Sequence, residues 1–210
     1  MEPGDKHNKA YKRPILSRYS DPCDVIWLAT ANRLGIHIRR SPLVFSATDG
    51  SGRLQLSTRE HLDADDCLAQ MLLHEICHWC TNGVETFHDR DWGFALDGPL
   101  DYREHSCLRL QAWLADQVNL RVMFGPTGEY RQYYNRIPED ALEQIDDSEW
   151  EQAVCSLASE AVERIQLAPW NPHVLNAMHA TANLRDVVTP YVEDFRSETD
   201  NDTLPTIWKV

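Results

Sequence analysis

The chain has 210 residues, 42% hydrophobic and 25% charged, a balance that excludes a disordered polar tail and suits one domain with at most a small appendage. Twenty Lys and Arg against 33 Asp and Glu leave a net charge of −13, which disfavours general affinity for nucleic acid phosphates or anionic membranes. The longest useful uncharged stretch, Ile165 to Leu184, carries Pro169, Pro172, three Asn and two His, so it makes a poor membrane span.

Residues 1–19 read as a polar, disordered leader with no apolar segment of the secretory type. Ser20-Asp21-Pro22 has the form of a helix start, and Gly35 is its natural stop. Val25, Ile26, Leu28 and Ala29 are the expected apolar face. Ile36/Ile38, Leu43-Val44-Phe45 and Leu54/Leu56, the last two flanking the Thr48-Asp49-Gly50-Ser51-Gly52 turn, predict two or three short antiparallel strands. A stronger period follows: Leu68, Leu72, Ile76 and Trp79 fall on one face of a helix over 64–82, with Asp63 and Asp65 at its positive end and Asn82-Gly83 closing it.

Residues 84–100 look irregular, and a second strong helix is expected over 101–119, with Leu110, Leu114 and Val118 inward. Gly125-Pro126-Thr127-Gly128 marks a break. Ser148 to Leu167 predicts a helix with a Ser148/Glu151 capping box, and Asn171-Pro172 opens a last one reaching about Val188. The expected architecture is therefore α+β, with an all-helical C-terminal half. The divisions are a core over 20–125, a helical part of the same domain over 126–190, and an acidic tail over 191–210. The six cysteines are too few for a disulfide scaffold, and reduced thiols in a cytoplasmic protein are expected.

The chemistry-bearing stretch is His74-Glu75-Ile76-Cys77-His78. Positions four apart on a helix differ by about 40° around the axis, so His74 and His78 can share one metal ion. Glu75 lies beside them, where it can handle a proton on water at that metal, and is the expected catalytic residue. With 9 His and 14 Glu, chance supplies roughly 0.03 such matches in a chain of this length. A third ligand is needed. Glu104 is the candidate, because it opens a helix that could return across the motif helix. Asp101-x-x-Glu104 is also a capping box, in which Glu104 would only bond its own backbone. His88, Asp89, Asp91 and His105 compete for the role. Cys77 and Cys80 lack the second pair that a structural zinc site requires, and they read as buried thiols. Cys67, two turns before His74, is a possible pocket residue.

His74-Glu75-Ile76-Cys77-His78-Trp79-Cys80, Gly83, Asp91-Trp92-Gly93-Phe94 and Asp97-Gly98 together resemble the bacterial elongation factor P hydroxylase family. The resemblance covers about 67–98, and extends more loosely to Gln111-Ala112-Trp113. It implies a non-heme iron monooxygenase acting on a lysine side chain of a translation factor. His74 and His78 would be ligands, Glu75 the motif carboxylate, and Asp91, Trp92 and Phe94 part of the pocket wall. Phe94-Ala95-Leu96 is shorter than the aromatic run of that family, and Pro99 stands where it has Arg. The order of helix, small antiparallel sheet, motif helix and returning helix also resembles the zincin-like core of minimal zinc peptidases with a glutamate third ligand. Fe(II) is thus the favoured cofactor and Zn(II) the alternative, with a protein or peptide substrate. A metal-stabilised binding module is the third reading.

Overall fold

A computed structural model of the chain describes residues 14, 16, 20–63, 65–94 and 101–192. The leader, the tail beyond 192, and Asp97-Gly98 of the resemblance lie outside the described residues, apart from 14 and 16. What is described is mixed α and β but mostly helical, with six α-helices and one three-stranded sheet.

Helix α1 (Pro22–Arg33) starts where the capping signal places it: the Asp21 carboxylate accepts from the Cys23 N–H at 2.8 Å. Its buried face differs from the expected one. Trp27, Cys23 and Ala31 face the core while Val25 and Leu28 are exposed, because the Trp27 indole donates to Thr181 Oγ1 at 3.0 Å on the last helix and sets the rotation.

The sheet contains β1 (His37–Ser41), β2 (Ser46–Thr48) and β3 (Arg53–Ser57) in the order β1-β3-β2. The β2–β3 hairpin is antiparallel, as the Gly50/Gly52 turn leads one to expect, and both glycines have positive φ. The expectation of an antiparallel sheet throughout is corrected at β1, which pairs with β3 in parallel, His37 opposite Arg53 through Ser41 opposite Ser57. The chain passes from β1 to the far side of β3 before making its hairpin. Consequently β1 and β2 are the two edges.

Helix α2 (Leu68–Asn82) carries the motif and is buried on nearly all sides. It begins four residues later than position 64, because Cys67 is its cap, with Sγ accepting from the Gln70 N–H at 3.4 Å. Asp63 and Asp65 therefore precede the helix. Two short 3₁₀ turns (Val84–His88 and Asp91–Gly93) follow, then α3 (Tyr102–Asp116), which packs along α2. A short α4 (Arg131–Tyr134) leads to α5 (Glu149–Ile165), packed on both α3 and α2, and then to α6 (His173–Val192), packed on α1. Ser148 caps α5 as predicted, accepting from the Glu151 N–H at 3.1 Å. One apolar cluster runs through Trp27, Leu56, Leu72, Leu114, Ile165 and Val174, joining the sheet to the C-terminal helices. Among the described residues no helix is long and apolar enough to cross a membrane.

Candidate metal centre

Three elements meet at a cleft of about 410 Å³: the face of α2 bearing His74 and His78, the first turn of α3, and edge strand β2. The two imidazoles stand at right angles, ring centroids 4.4 Å apart, with their Nε2 atoms 2.8 Å from each other. Glu104 points its carboxylate at both. Oε1 is 3.5 Å from His74 Nε2 and Oε2 is 3.4 Å from His78 Nε2. Asp101 caps α3, its side chain accepting from the Arg103 N–H at 2.9 Å, but the reciprocal half of a capping box does not form, because the Glu104 carboxylate is turned to the histidines and away from the Asp101 N–H.

The tautomer of His74 follows from its neighbours. Gln111 donates its amide N–H to the Phe124 carbonyl, so its Oε1 is the atom that faces His74 Nδ1, at 2.9 Å. Oε1 can only accept; hence Nδ1 carries the proton and Nε2 offers a lone pair. Burial, reinforced by His74 alongside, pushes the His78 imidazole down to about 3, so it is neutral and a competent donor. Burial raises the Glu104 carboxyl above its ordinary value, and His74 partly opposes that. His78 Nδ1 and Glu104 Oε1 are buried without a hydrogen-bond partner. Ligands bound at about 2.1 Å to a common cation lie about 3.0–3.4 Å apart, so two imidazole nitrogens and a carboxylate at these separations fit a divalent ion.

Cys107 offers another donor set. Its ligand atom and those of His74 and His78 lie within 4.8 Å of one another, and this group could hold a metal. The thiol, however, stands 3.9 Å from Nδ1 of His74, the nitrogen already bonded to Gln111, and burial raises it well above the usual thiol range. Replacing Gln111 by Leu should therefore weaken metal binding about 10- to 100-fold, by freeing the His74 tautomer and ring orientation. A competition titration with a chelating dye checks this. Unchanged affinity would mean that Gln111 only fills space.

Glu75 is 8% exposed and held from two sides. Ser46 of β2 donates its hydroxyl to Oε1 at 2.6 Å, and the Trp92 indole donates to Oε2 at 3.0 Å. Trp92 reaches that position through an unusual backbone: Asp91 and Trp92 have φ of 49° and 55°. Such conformations cost about 1–2 kcal/mol per residue in side-chain-bearing positions. The Asp91 carboxylate offsets part of this by accepting from the Thr48 N–H at 2.8 Å. Phe94 closes the end of the cleft, its ring edge-on to His78 at 4.3 Å, with the Arg103 guanidinium 4.8 Å above its centroid.

Comparison with known protein families, curated proteins and solved structures finds no match to this chain.

Of the residues singled out in the sequence, His74, Glu75, His78, Glu104, Asp91, Trp92 and Phe94 line the cleft together. Cys67, His88 and His105 do not line it. Cys67 turns its sulfur back to cap α2. His88 ends an exposed 3₁₀ turn, its ring against Phe87 at 5.3 Å. His105 follows Glu104 by one residue, about 100° around α3. It stacks instead on Tyr133, 3.6 Å between centroids, and accepts from the Trp150 indole. Sequence reasoning missed Ser46, Gln70, Cys107, Gln111 and Tyr130. Gln111 had a usable signal: seven residues after Glu104, it falls on the same helical face.

Proposed function

We propose that this chain is a metal-dependent enzyme whose centre is formed by His74, His78 and Glu104, and that it hydroxylates a lysine side chain of a protein. The observation that carries the reading is the convergence of both Nε2 atoms and the Glu104 carboxylate at an open cleft. Two imidazoles and one carboxylate suit Fe(II), and the resemblance to the elongation factor P hydroxylase family points the same way. When bound, iron would supply dioxygen activation, with electrons from an external reductant. The protein's own residues supply the setting. Glu75 and Glu104 line the cleft and favour a cationic amine, Asp91 and Asp101 beside them being paired with Arg90 and Arg103, while Phe94, Trp92 and Met71 provide apolar walls for an alkyl chain. In this reading Glu75, tied to Ser46 and Trp92, shapes the wall beside His74 and His78.

A zinc peptidase with a zincin-like core is the second reading, supported by Glu75 reaching the same cleft, where it could take a proton from water. Two features weigh against it. Strand β2 is only three residues long, and the Thr48 N–H is already committed to Asp91. An extended peptide pairing along that edge would find little backbone to bond. A metal-stabilised binding module is the third.

Metal content after oxygen-free purification, measured beside His74→Ala, separates them. Near-stoichiometric iron, lost in the variant, together with dioxygen-dependent gain of one oxygen on a protein lysine, supports the hydroxylase. Zinc with peptide cleavage that Glu75→Gln abolishes supports the peptidase. Metal retained with no turnover of either kind favours the binding module, and absence of metal in both proteins sinks both enzyme readings.

A further inference from the structure

Gln70, His74 and His78 lie at successive four-residue steps on α2, so the three side chains form one row along the cleft. The histidine side chains have partners; the Gln70 side chain has none among the described residues. Its side chain is 5% exposed, its Oε1 is buried without a hydrogen-bond partner, and neither end of its amide bonds any described residue. Burying an unpaired amide is unfavourable, because its water partners are lost without replacement. Leu68, Leu72 and Leu73, all buried in the same two turns, show that this part of α2 accommodates apolar side chains without difficulty.

The same cleft is lined by Tyr130, at the end of the 3₁₀ turn Gly128–Tyr130. Its hydroxyl also has no hydrogen-bond partner among the described residues. Its neighbour Thr127 differs, since that hydroxyl donates to Asp66 Oδ1 at 2.6 Å and is thereby occupied. Met71 and Pro126 lie on the same walls and add apolar surface.

We propose that Gln70 and Tyr130 form a subsite for a peptide group, one helical turn from the metal centre. A carboxamide offers an acceptor and two donors, and so matches both the N–H and the C=O of a peptide unit, while a phenol can donate to or accept from the same unit. A lone ammonium would leave the donors of Gln70 unused. An anion would meet the carboxylates of Glu75, Asp91 and Glu104. The substrate is accordingly a side chain carried on a polypeptide, recognised by its backbone as well as its amine. This inference rests on the cleft being the substrate pocket of the proposed enzyme.

The test uses the zinc-loaded and the metal-free full chain, titrated by NMR with N-acetyl-lysine N-methylamide and with n-butylamine. Wild type should bind the capped lysine at least about tenfold more tightly than the amine, the effect of a buried hydrogen-bonded pair. Gln70→Leu should bring the two within about threefold, leave n-butylamine binding and zinc content unchanged, and raise the melting temperature. Tyr130→Phe should remove a smaller part of the preference. Equal binding of the two probes by wild type overturns the proposal, as does a preference that survives Gln70→Leu. A protein that takes up no zinc but keeps a Gln70-dependent preference would overturn the metal reading and leave the subsite standing.

Discussion

Arg109→Met should lower the free energy of unfolding by about 3–5 kcal/mol, although the residue touches nothing in the cleft. Arg109 is fully buried. Its guanidinium is ion-paired with Glu151 on α5, and donates to the Tyr133 hydroxyl at 2.8 Å and the Glu143 carbonyl at 2.7 Å, as well as to the Ala141 carbonyl. Glu151 in turn accepts from the Ile145 N–H at 3.2 Å. Losing the cation leaves two carbonyls without their donor and the Glu151 carboxylate without its counter-ion, held only by the Ile145 N–H and the Tyr133 hydroxyl, in a site closed to water. The pair itself is worth much less than this loss, since taking two charges out of water is costly. The double variant Arg109→Met/Glu151→Leu should accordingly recover a substantial part of the stability. Urea unfolding of the three proteins decides it. A single-variant loss below about 1 kcal/mol would mean that water reaches the pair, and that it behaves as a surface ion pair.

Glu104→Ala should abolish stoichiometric metal binding, whereas Cys107→Ser should leave it within a few-fold of wild type. The carboxylate is within 3.5 Å of both Nε2 atoms, so removing it deletes a ligand on the side where the two imidazoles converge. The thiol is on the Nδ1 side of His74, behind the ring. Burial keeps it protonated, and only the thiolate is an effective ligand. Direct titration of Zn²⁺ and Fe²⁺ into the two variants, with folding checked by circular dichroism, gives the answer. The opposite result, metal lost in Cys107→Ser and kept in Glu104→Ala, would move the centre to the other edge of His74 and remove the argument for an open coordination position facing the cleft.

The face that brings His74 and His78 together was legible in the sequence because its determinants are local. Four-residue spacing on one helix brings His74 and His78 together whatever the rest of the chain does, and the apolar period around them identifies the helix. Glu104 was legible only as a choice between two partners, since a carboxylate in a first helical turn can serve its own backbone or a neighbouring helix. The direction of the Glu104 side chain, toward His74 and His78, settles this. The parallel β1–β3 pairing was not legible. Alternating hydrophobicity states that strands exist, and a Gly-rich turn states that β2 and β3 are adjacent, but neither records on which side β1 joins. Ser46 and Trp92 were hidden for a similar reason: what matters is that a strand edge and a strained turn both reach Glu75, and such non-local approach leaves no period in the sequence. Glu151 illustrates the converse. Its backbone N–H does what the capping box requires, while its side chain leaves the box for Arg109.

Sulfur surrounds the histidine pair without facing the cleft. Cys77, Cys80 and Cys107 are buried in the α2–α3–α5 packing, and burial raises the latter two thiols. While the fold is closed, the donors presented to an incoming ion are nitrogen and oxygen, the set preferred by cations of intermediate hardness. Unfolding reverses this order by exposing Cys77-x-x-Cys80 and Cys107 as soft ligands. Cuprous or cadmium ions would therefore gain most of their affinity from the unfolded chain and pull the equilibrium toward it, whereas ferrous iron or zinc, if the folded centre holds them as proposed, would pull the other way. Selectivity among metals at the proposed centre would thus be partly a property of the folding equilibrium, and partly of the site.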